Sequence, residues 1–266
     1  MVELAGRRVL ITGASRGIGE ALARRFAEAG ATVALLARDA AALQALADEL
    51  GGSAHPADLA APGVVAGLIE RVEADDGPVD VLVNNAALDG GGYFPELDPD
   101  EINRVFQVNL VAPAQLCRQV LPGMLERGRG RIVNVSSMAG VAAFPGMVAY
   151  ASTKAGLSQF TEILALDLRG QPVGTTLVEL GPIPTDLLDR VDAYKPTRDS
   201  FDRAYRLGMI VDLPRERVAD EVVRAVERDR AHVRLPKRAA AYPLFTQLPR
   251  ELARFTLIGI PHQEET

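Results

Sequence analysis

Tyr150 and Lys154 stand four residues apart in a segment with a helical pattern, Tyr150-Ala-Ser-Thr-Lys154. On a helix they share a face, with the ammonium one turn from the phenol. That pairing suits proton transfer at a carbonyl or an alcohol. A phenol with an ordinary pKa near 10 is a poor base at neutral pH, but a neighbouring lysine and a cationic nicotinamide both favour phenolate. The shift needed is a few units, at about 1.4 kcal/mol each. Ser137, just after an apolar run ending near Val135, can hold a substrate oxygen while Tyr150 moves its proton. Far upstream, Thr12-Gly-Ala-Ser-Arg-Gly-Ile-Gly19 follows another apolar run and opens a helical pattern. There Gly13, Gly17 and Gly19 let the chain turn tightly and bring amides and a helix dipole to a pyrophosphate. Each segment alone is a weak signal, since glycine turns and Tyr-x-x-x-Lys spacings recur by chance. In this order they point to a dinucleotide site and hydride chemistry.

The elements that must position these residues alternate regularly. Arg8 to Thr12, Thr32 to Ala37, Val79 to Val83, Arg131 to Val135 and Val173 to Leu180 read as buried strands, with amphipathic helices between them. Strands apolar on both faces predict an α/β, single-domain Rossmann fold: a doubly wound parallel sheet with helices on both faces. Residues 1–266 are expected to form one dinucleotide-binding catalytic domain, with a substrate lid over about 186–212 and a C-terminal extension over about 236–266. From Leu180 to Pro214 the chain reads as loop, punctuated by proline. Asp98-Pro-Asp-Glu101 supplies an N-cap and a first-turn proline for one helix. Pro113 has no N–H to give the carbonyl of Asn109, which leaves that carbonyl able to hold a water; a plain helix kink is the competing reading.

Bulk properties exclude several classes. A chain of 266 residues, 48% hydrophobic, can fill one sizeable core, and a net charge of −6 disfavours a general nucleic-acid binder. The single cysteine, Cys117, can form no internal disulfide, which fits a reducing, cytoplasmic setting. No signal-peptide core and no stretch of about 18 apolar residues is present, so an integral membrane protein is not expected, nor is a metal site.

An NAD site usually has an acid at the end of the second strand to bind the ribose hydroxyls, and Ala37 fills that place here. Arg38 follows it, and Arg16 sits in the glycine loop, where two guanidinium groups can clamp a 2′-phosphate. NADP(H) is therefore favoured over NAD(H). Asp39 would argue the other way after a one-residue register shift, but reads better as the next helix's N-cap. Asp58, after the third strand, either accepts from adenine or caps a turn.

The motif set Thr12 to Gly19, Asn84-Asn-Ala-Ala87, Asn109, Asn134-Val-Ser-Ser137 and Tyr150-x-x-x-Lys154 resembles the classical short-chain dehydrogenase/reductase family over roughly residues 5 to 190. The resemblance implies Ser137, Tyr150 and Lys154 as a catalytic triad, with Asn109 extending a proton relay through a water to Lys154. Family spacing selects Ser137 over Ser136. It further implies that Asn84 and Ala86 line the adenosine side and that Lys154 and Tyr150 border the nicotinamide ribose. The full cofactor set so expected is Gly13, Ser15, Arg16, Gly17, Ile18, Gly19, Arg38, Asp58, Asn84, Ala86, Tyr150, Lys154, Gly181, Ile183 and Thr185. Two departures stand out: Leu180-Gly181 where the family usually has Pro-Gly, and Ala87 in place of its usual glycine. Pairing through the helices that carry Asn109 and Tyr150 is also implied, as a homodimer or homotetramer.

For substrate, Leu187, Leu188, Tyr194, Met209 and Ile210 in the lid, with Val141, Phe144 and Met147 before the tyrosine, suggest a small hydrophobic ketone or secondary alcohol. Arg224, Arg228, Arg230, Arg234, Lys237 and Arg238 form a basic strip opposed only by Glu227 and Asp229, followed by an apolar pattern from Leu244 to Ile258. A solvated strip and a packed helix is the first reading; docking on anionic lipid or an acyl carrier is the alternative. Competing functions are a nucleotide-sensing binding protein without turnover, and a redox-neutral dehydratase or epimerase.

Overall fold

Short runs rich in valine, leucine and isoleucine pair side by side because the helices between them leave no room for hairpins. The computed structural model describes residues 3–142, 144–184, 194–208 and 210–237. Its strands are β1 (Arg8–Thr12), β2 (Thr32–Ala37), β3 (Ser53–Pro56), β4 (Val81–Asn84), β5 (Gly130–Ser137), β6 (Val173–Leu180) and β7 (His232–Leu235). All seven are parallel, in the order β3-β2-β1-β4-β5-β6-β7. The helices are α1 (Gly17–Glu28), α2 (Ala40–Leu50), α3 (Leu68–Asp76), α4 (Pro99–Phe106), α5 (Ala112–Glu126), α6 (Val148–Asp167), α7 (Lys195–Arg206) and α8 (Arg215–Glu227).

Alternate residues of each strand serve opposite faces. Val9 and Ile11 of β1 join Val33 and Leu35 of β2 under Leu22 and Phe26 of α1 and Val222 of α8. Leu10, Ala34 and Leu36 turn the other way, onto Ile69 and Val72 of α3 and Leu116 and Val120 of α5. The doubly wound sheet is therefore as expected. Strand order reverses between β1 and β4, and the crevice beyond their carboxyl ends is where such sheets bind ligands.

Several local expectations change. The central strand is longer than Arg131–Val135, reaching Ser137, and the fourth runs Val81–Asn84 rather than Val79–Val83. Pro113 produces not a simple kink but a π-helical turn, Gln107–Val111, leading into α5. The stretch read as loop before Pro214 contains α7, whose Pro196 sits at the first turn and whose Thr197, Phe201 and Ala204 are buried. The basic strip divides between the end of α8 and strand β7. Arg224 lies 3.8 Å from Asp220 and 3.6 Å from Glu221, Arg234 donates to Glu179 at 2.6 Å, and Lys237 is 3.8 Å from Glu221. Three of the strip's six basic residues, Arg224, Arg234 and Lys237, thus meet acidic partners within the fold. Thr185, Leu187, Leu188, Met209, Arg238 and the 244–258 pattern lie outside the described residues. Among the described residues no helix is long and apolar enough to cross a membrane, and no cluster of metal-ligating side chains occurs.

The tightest fit lies between β1 and α1. Gly13 and Gly17 have φ of +67° and +61°, and a Cβ on Gly13 would stand 2.8 Å from the Cα of Ala86. Gly19 has ordinary backbone angles, but a Cβ there would fall on the carbonyl oxygen of Gly13 and 2.7 Å from Asn85 Nδ2. The first neighbour is backbone, and the second is held by its hydrogen bonds to Thr12 O and Gly13 O. Gly19→Ala is expected to cost about 1–3 kcal/mol of stability and to abolish dinucleotide binding, because the loop must move. Urea unfolding with a nicotinamide fluorescence titration checks this; an unchanged midpoint with full binding refutes it.

Candidate active site

The carboxyl ends of β4, β5 and β6 border a cavity of about 710 Å³, which Ser137, Tyr150 and Lys154 line while Asn109 does not. Ser137 ends β5, and its Oγ accepts from Ala139 N at 3.1 Å and donates to the Leu180 carbonyl at 3.3 Å. Ser136 points to the opposite side, bonding the Lys154 carbonyl and Ser158 Oγ, each at 2.8 Å. The strand's alternation therefore turns Ser137, not Ser136, toward Tyr150, whose ionisation it favours. Tyr150 and Lys154 occupy successive turns of α6, and the ammonium is 5.7 Å from the phenol ring centre. Lys154 Nζ donates to the Val135 carbonyl at 2.8 Å.

Burial governs the protonation of this pair. Tyr150 is pushed up to about 12, chiefly by desolvation, with the Ser137 hydrogen bond opposing the shift and the charge of Asp89 adding to it. Desolvation lowers Lys154 to about 8. The expectation that lysine would draw the phenol downward is thus reversed for the protein's own groups: neutral forms win where water is excluded. Asn109 is fully buried, its side chain accepting from Leu88 N and donating to Leu88 O, both at 2.8 Å, and donating to Thr153 Oγ1 at 3.1 Å. Its amide is committed to holding the Leu88 loop against α6, which leaves only its main-chain carbonyl for a relay.

At the dinucleotide end, Gly13 and Gly17 form the turn, and the Ala14 N–H donates to the Leu36 carbonyl at 3.2 Å, setting the loop beside the end of β2. Ser15 lies within this loop, Ile18 lines the cavity, and Arg16 and Arg38 are both exposed. Asp39 caps α2 through the Ala42 N–H, as expected, and Asp58 accepts from Ala60 N at 3.0 Å. Asn84 needs correction. Its side chain turns into the layer under α5, donating to Asn134 Oδ1 at 2.8 Å and to Cys117 Sγ at 3.4 Å, so only its main chain can face an adenosine. Ala86 N donates to Thr12 Oγ1 at 3.0 Å. Asn85, unremarked within its motif, faces the cavity and ties the glycine loop by donating to Thr12 O and Gly13 O at 3.0 and 3.2 Å. Gly181 and Ile183 line the cavity, and Gly181 N donates to Leu235 O at 2.7 Å.

The substrate side is mostly apolar: Met138, Val141, Phe144 and Met147 meet Phe201, Ala204, Leu207 and Ile210. Phe144 and Phe201 pack at 4.7 Å between ring centres, tilted by 44°. Tyr194, expected in this wall, packs instead on Gly146, whose added Cβ would collide with its ring. Asp89 and the α7 residues had no motif to announce them.

Comparison with known proteins agrees with this geometry. The family model described as short chain dehydrogenase matches residues 7–195. A short chain dehydrogenase of Pseudocercospora fijiensis is 39% identical over 193 residues, 70% of this chain and 62% of the relative, so the match spans less than two thirds of that protein. The 3-oxoacyl-[acyl-carrier-protein] reductase of Escherichia coli is 32% identical over 225 residues, 83% of this chain and 88% of that one. A Sphingobium yanoikuyae short-chain dehydrogenase solved with NADPH superposes with a TM-score of 0.78 at 28% identity, covering 98% of each chain. A Burkholderia phymatum short chain dehydrogenase/reductase solved with NAD gives 0.78 at 25% identity, covering 100% of this chain and 99% of that one.

The Lys154 shift fixes a stability profile. Below about pH 8 the ammonium is charged in both states and its burial opposes folding. Between about 8 and the ordinary 10.5 the folded side chain has lost its proton while the unfolded chain keeps it, so unfolding takes up a proton and stability rises with pH. Relative to Lys154→Met, the cofactor-free protein is expected to gain on the order of 2–3 kcal/mol between pH 7 and 10. Parallel denaturation curves across that range would eliminate a perturbed lysine.

Proposed function

We propose, for a chain that belongs to the short-chain dehydrogenase family, that it is an NADP(H)-dependent oxidoreductase. It transfers hydride between nicotinamide and the carbonyl carbon of an apolar ketone, or from the corresponding secondary alcohol. The observation that carries this reading is the convergence of Ser137, Tyr150 and Lys154 on one cavity that is mostly apolar on its far side. The cradle fits a dinucleotide: the close approach at Gly13 and Gly19 leaves no room for side chains where backbone must face a phosphate. When bound, the nicotinamide supplies the hydride and, once oxidised, a positive charge.

The chain's own groups do the rest. Ser137 Oγ, held at the end of β5, binds the substrate oxygen and stabilises charge developing there. Tyr150, kept protonated by burial, delivers its proton to that oxygen as the carbonyl is reduced. Lys154 places its ammonium beside the phenol and favours the phenolate left behind. Asn109 acts as a positioning residue through its grip on Leu88 and Thr153, and its main-chain carbonyl, to which Pro113 cannot donate, is assigned to proton resupply. Arg16 and Arg38 are assigned to the 2′-phosphate. We also assign a homo-oligomer formed through α5 and α6, supported by exposed Leu125, Val148 and Ile163 on those helices and Val111 beside them.

The first test follows loss of reduced-nicotinamide absorbance with NADPH or NADH across a panel of apolar ketones. Wild type is expected to turn over with NADPH, and Tyr150→Phe to fold normally and lose about 10²–10⁴-fold in rate. Tight cofactor binding without turnover by wild type would instead support a sensing or redox-neutral role. Separately, Arg38→Ala is expected to raise KM for NADPH about tenfold or more, with little change for NADH. Equal effects on the two cofactors would remove the arginine clamp.

A further inference from the structure

Asp89 is a carboxylate on the wall of the reaction cavity, and the backbone on both sides of it is held by neighbouring elements, α6 among them. Before it, Leu88 exchanges both main-chain hydrogen bonds with the Asn109 side chain, which in turn donates to Thr153 on α6. After it, Gly90 packs so closely that an added Cβ would lie 3.3 Å from Ala149 Cβ and 2.9 Å from Val105 Cγ2. Gly92 N then donates to the Gly146 carbonyl at 2.9 Å. Ala149 and Thr153 flank Tyr150 along the helix, so the loop holds Asp89 over the turn that carries the phenol. The two groups are close enough for the carboxylate to oppose ionisation of Tyr150.

The same cavity is lined by apolar Val141, Phe144, Met147, Phe201 and Ala204, with Thr197, Ser200 and Arg203 as its polar members on that side. Asp89 is half-buried at the cavity edge and interacts within the protein; a carboxylate has about four acceptor positions, so a bound substrate can add a donor of its own. The apolar wall accommodates an alkyl or aryl body at the same time.

We propose that Asp89 is a specificity-determining residue that accepts a hydrogen bond from a hydroxyl or amine on the carbon next to the reacting carbonyl, so that the preferred substrates are apolar α-hydroxy or α-amino ketones and the matching diols or amino alcohols. The assignment rests on the carbonyl-reductase reading above. It adds no bond-making step: hydride and proton transfer are those already described.

The test compares acetophenone, α-hydroxyacetophenone and α-aminoacetophenone as substrates with NADPH. Wild type is expected to favour the two donor-bearing ketones by at least about tenfold in kcat/KM, with the difference carried mainly by KM. Asp89→Ala should bring these ratios close to one. Asp89→Asn, which keeps the shape and one acceptor, should retain part of the hydroxyl preference and lose the extra preference for the cationic amine. Equal wild-type rates across the three ketones, or a preference that survives in Asp89→Ala, overturns the proposal. Should no ketone be reduced at all, the carbonyl-reductase reading fails by itself. Thermal stabilisation of the NADP⁺-loaded wild type, but not of Asp89→Ala, by phenylethanediol over phenylethanol then still decides the role of Asp89.

Discussion

Lys154 carries its ammonium to a place almost closed to water, 2% exposed, and the Val135 carbonyl accepts from it at 2.8 Å. A buried charge is tolerated only where its surroundings are paired and held. The neighbouring residues of β5 satisfy that demand in sequence. Asn134 donates to Thr161 Oγ1 at 2.9 Å, Val135 takes the ammonium, Ser136 bonds Ser158 and the Lys154 carbonyl, and Ser137 meets Tyr150. Strand and helix are thereby joined along consecutive residues of β5, with Lys154 serving both Val135 and Ser136. Catalysis by preorganised dipoles depends on such rigidity, because no reorganisation is then needed as charge develops.

The same burial decides which proton state the protein holds ready. A phenol raised to about 12 is an acid with its proton in place, and a lysine lowered to about 8 stands close to neutrality. Proton delivery to a ketone oxygen needs the first; the phenolate left behind is favoured by the charged form of Lys154, which the same burial makes harder to hold. Neither property follows from the four-residue spacing. Both follow from removing water, which penalises phenolate and ammonium alike and so moves their pKa values in opposite directions. A cationic nicotinamide adds charge to this enclosure, which ties the ionisation of Tyr150 to the redox state of the cofactor.

What could be read from sequence is what local rules determine. β1, β2 and β6 run between the residues their apolar character suggested, Asp39 and Asp98 cap their helices, and the two-residue repeat of β5 explains why Ser137 rather than Ser136 meets the tyrosine. The failures share a cause: partners distant in the chain. β7 was hidden because His232 and Arg234 look like surface charges until Glu162 and Glu179 are found opposite them, both at 2.6 Å. α7 was hidden because its outer face is densely charged and its buried residues are few. Asn84 sits in a cofactor motif, yet its side chain is spent on Asn134, a contact that only the parallel pairing of β4 with β5 creates. Asp89 had no periodicity to announce it, and Tyr150, whose ionisation it opposes, lies beyond α4, α5 and β5 along the chain.

The two ends of the cleft obey different physics. Arg16 and Arg38 are exposed, so whatever they contribute to phosphate recognition is screened by salt and open to change without disturbing the core. The substrate wall is not so independent. Thr197 Oγ1 of α7 donates to the Pro145 carbonyl at 2.7 Å, Phe201 packs on Phe144, and Tyr194 covers Gly146. All three contacts fall within the few residues that lead into α6 and Tyr150. A change in α7 that reshapes the cavity must therefore pull on the segment that orients the phenol. Substrate shape and proton-transfer geometry are mechanically coupled, whereas cofactor choice at the far end of the sheet is free to vary on its own.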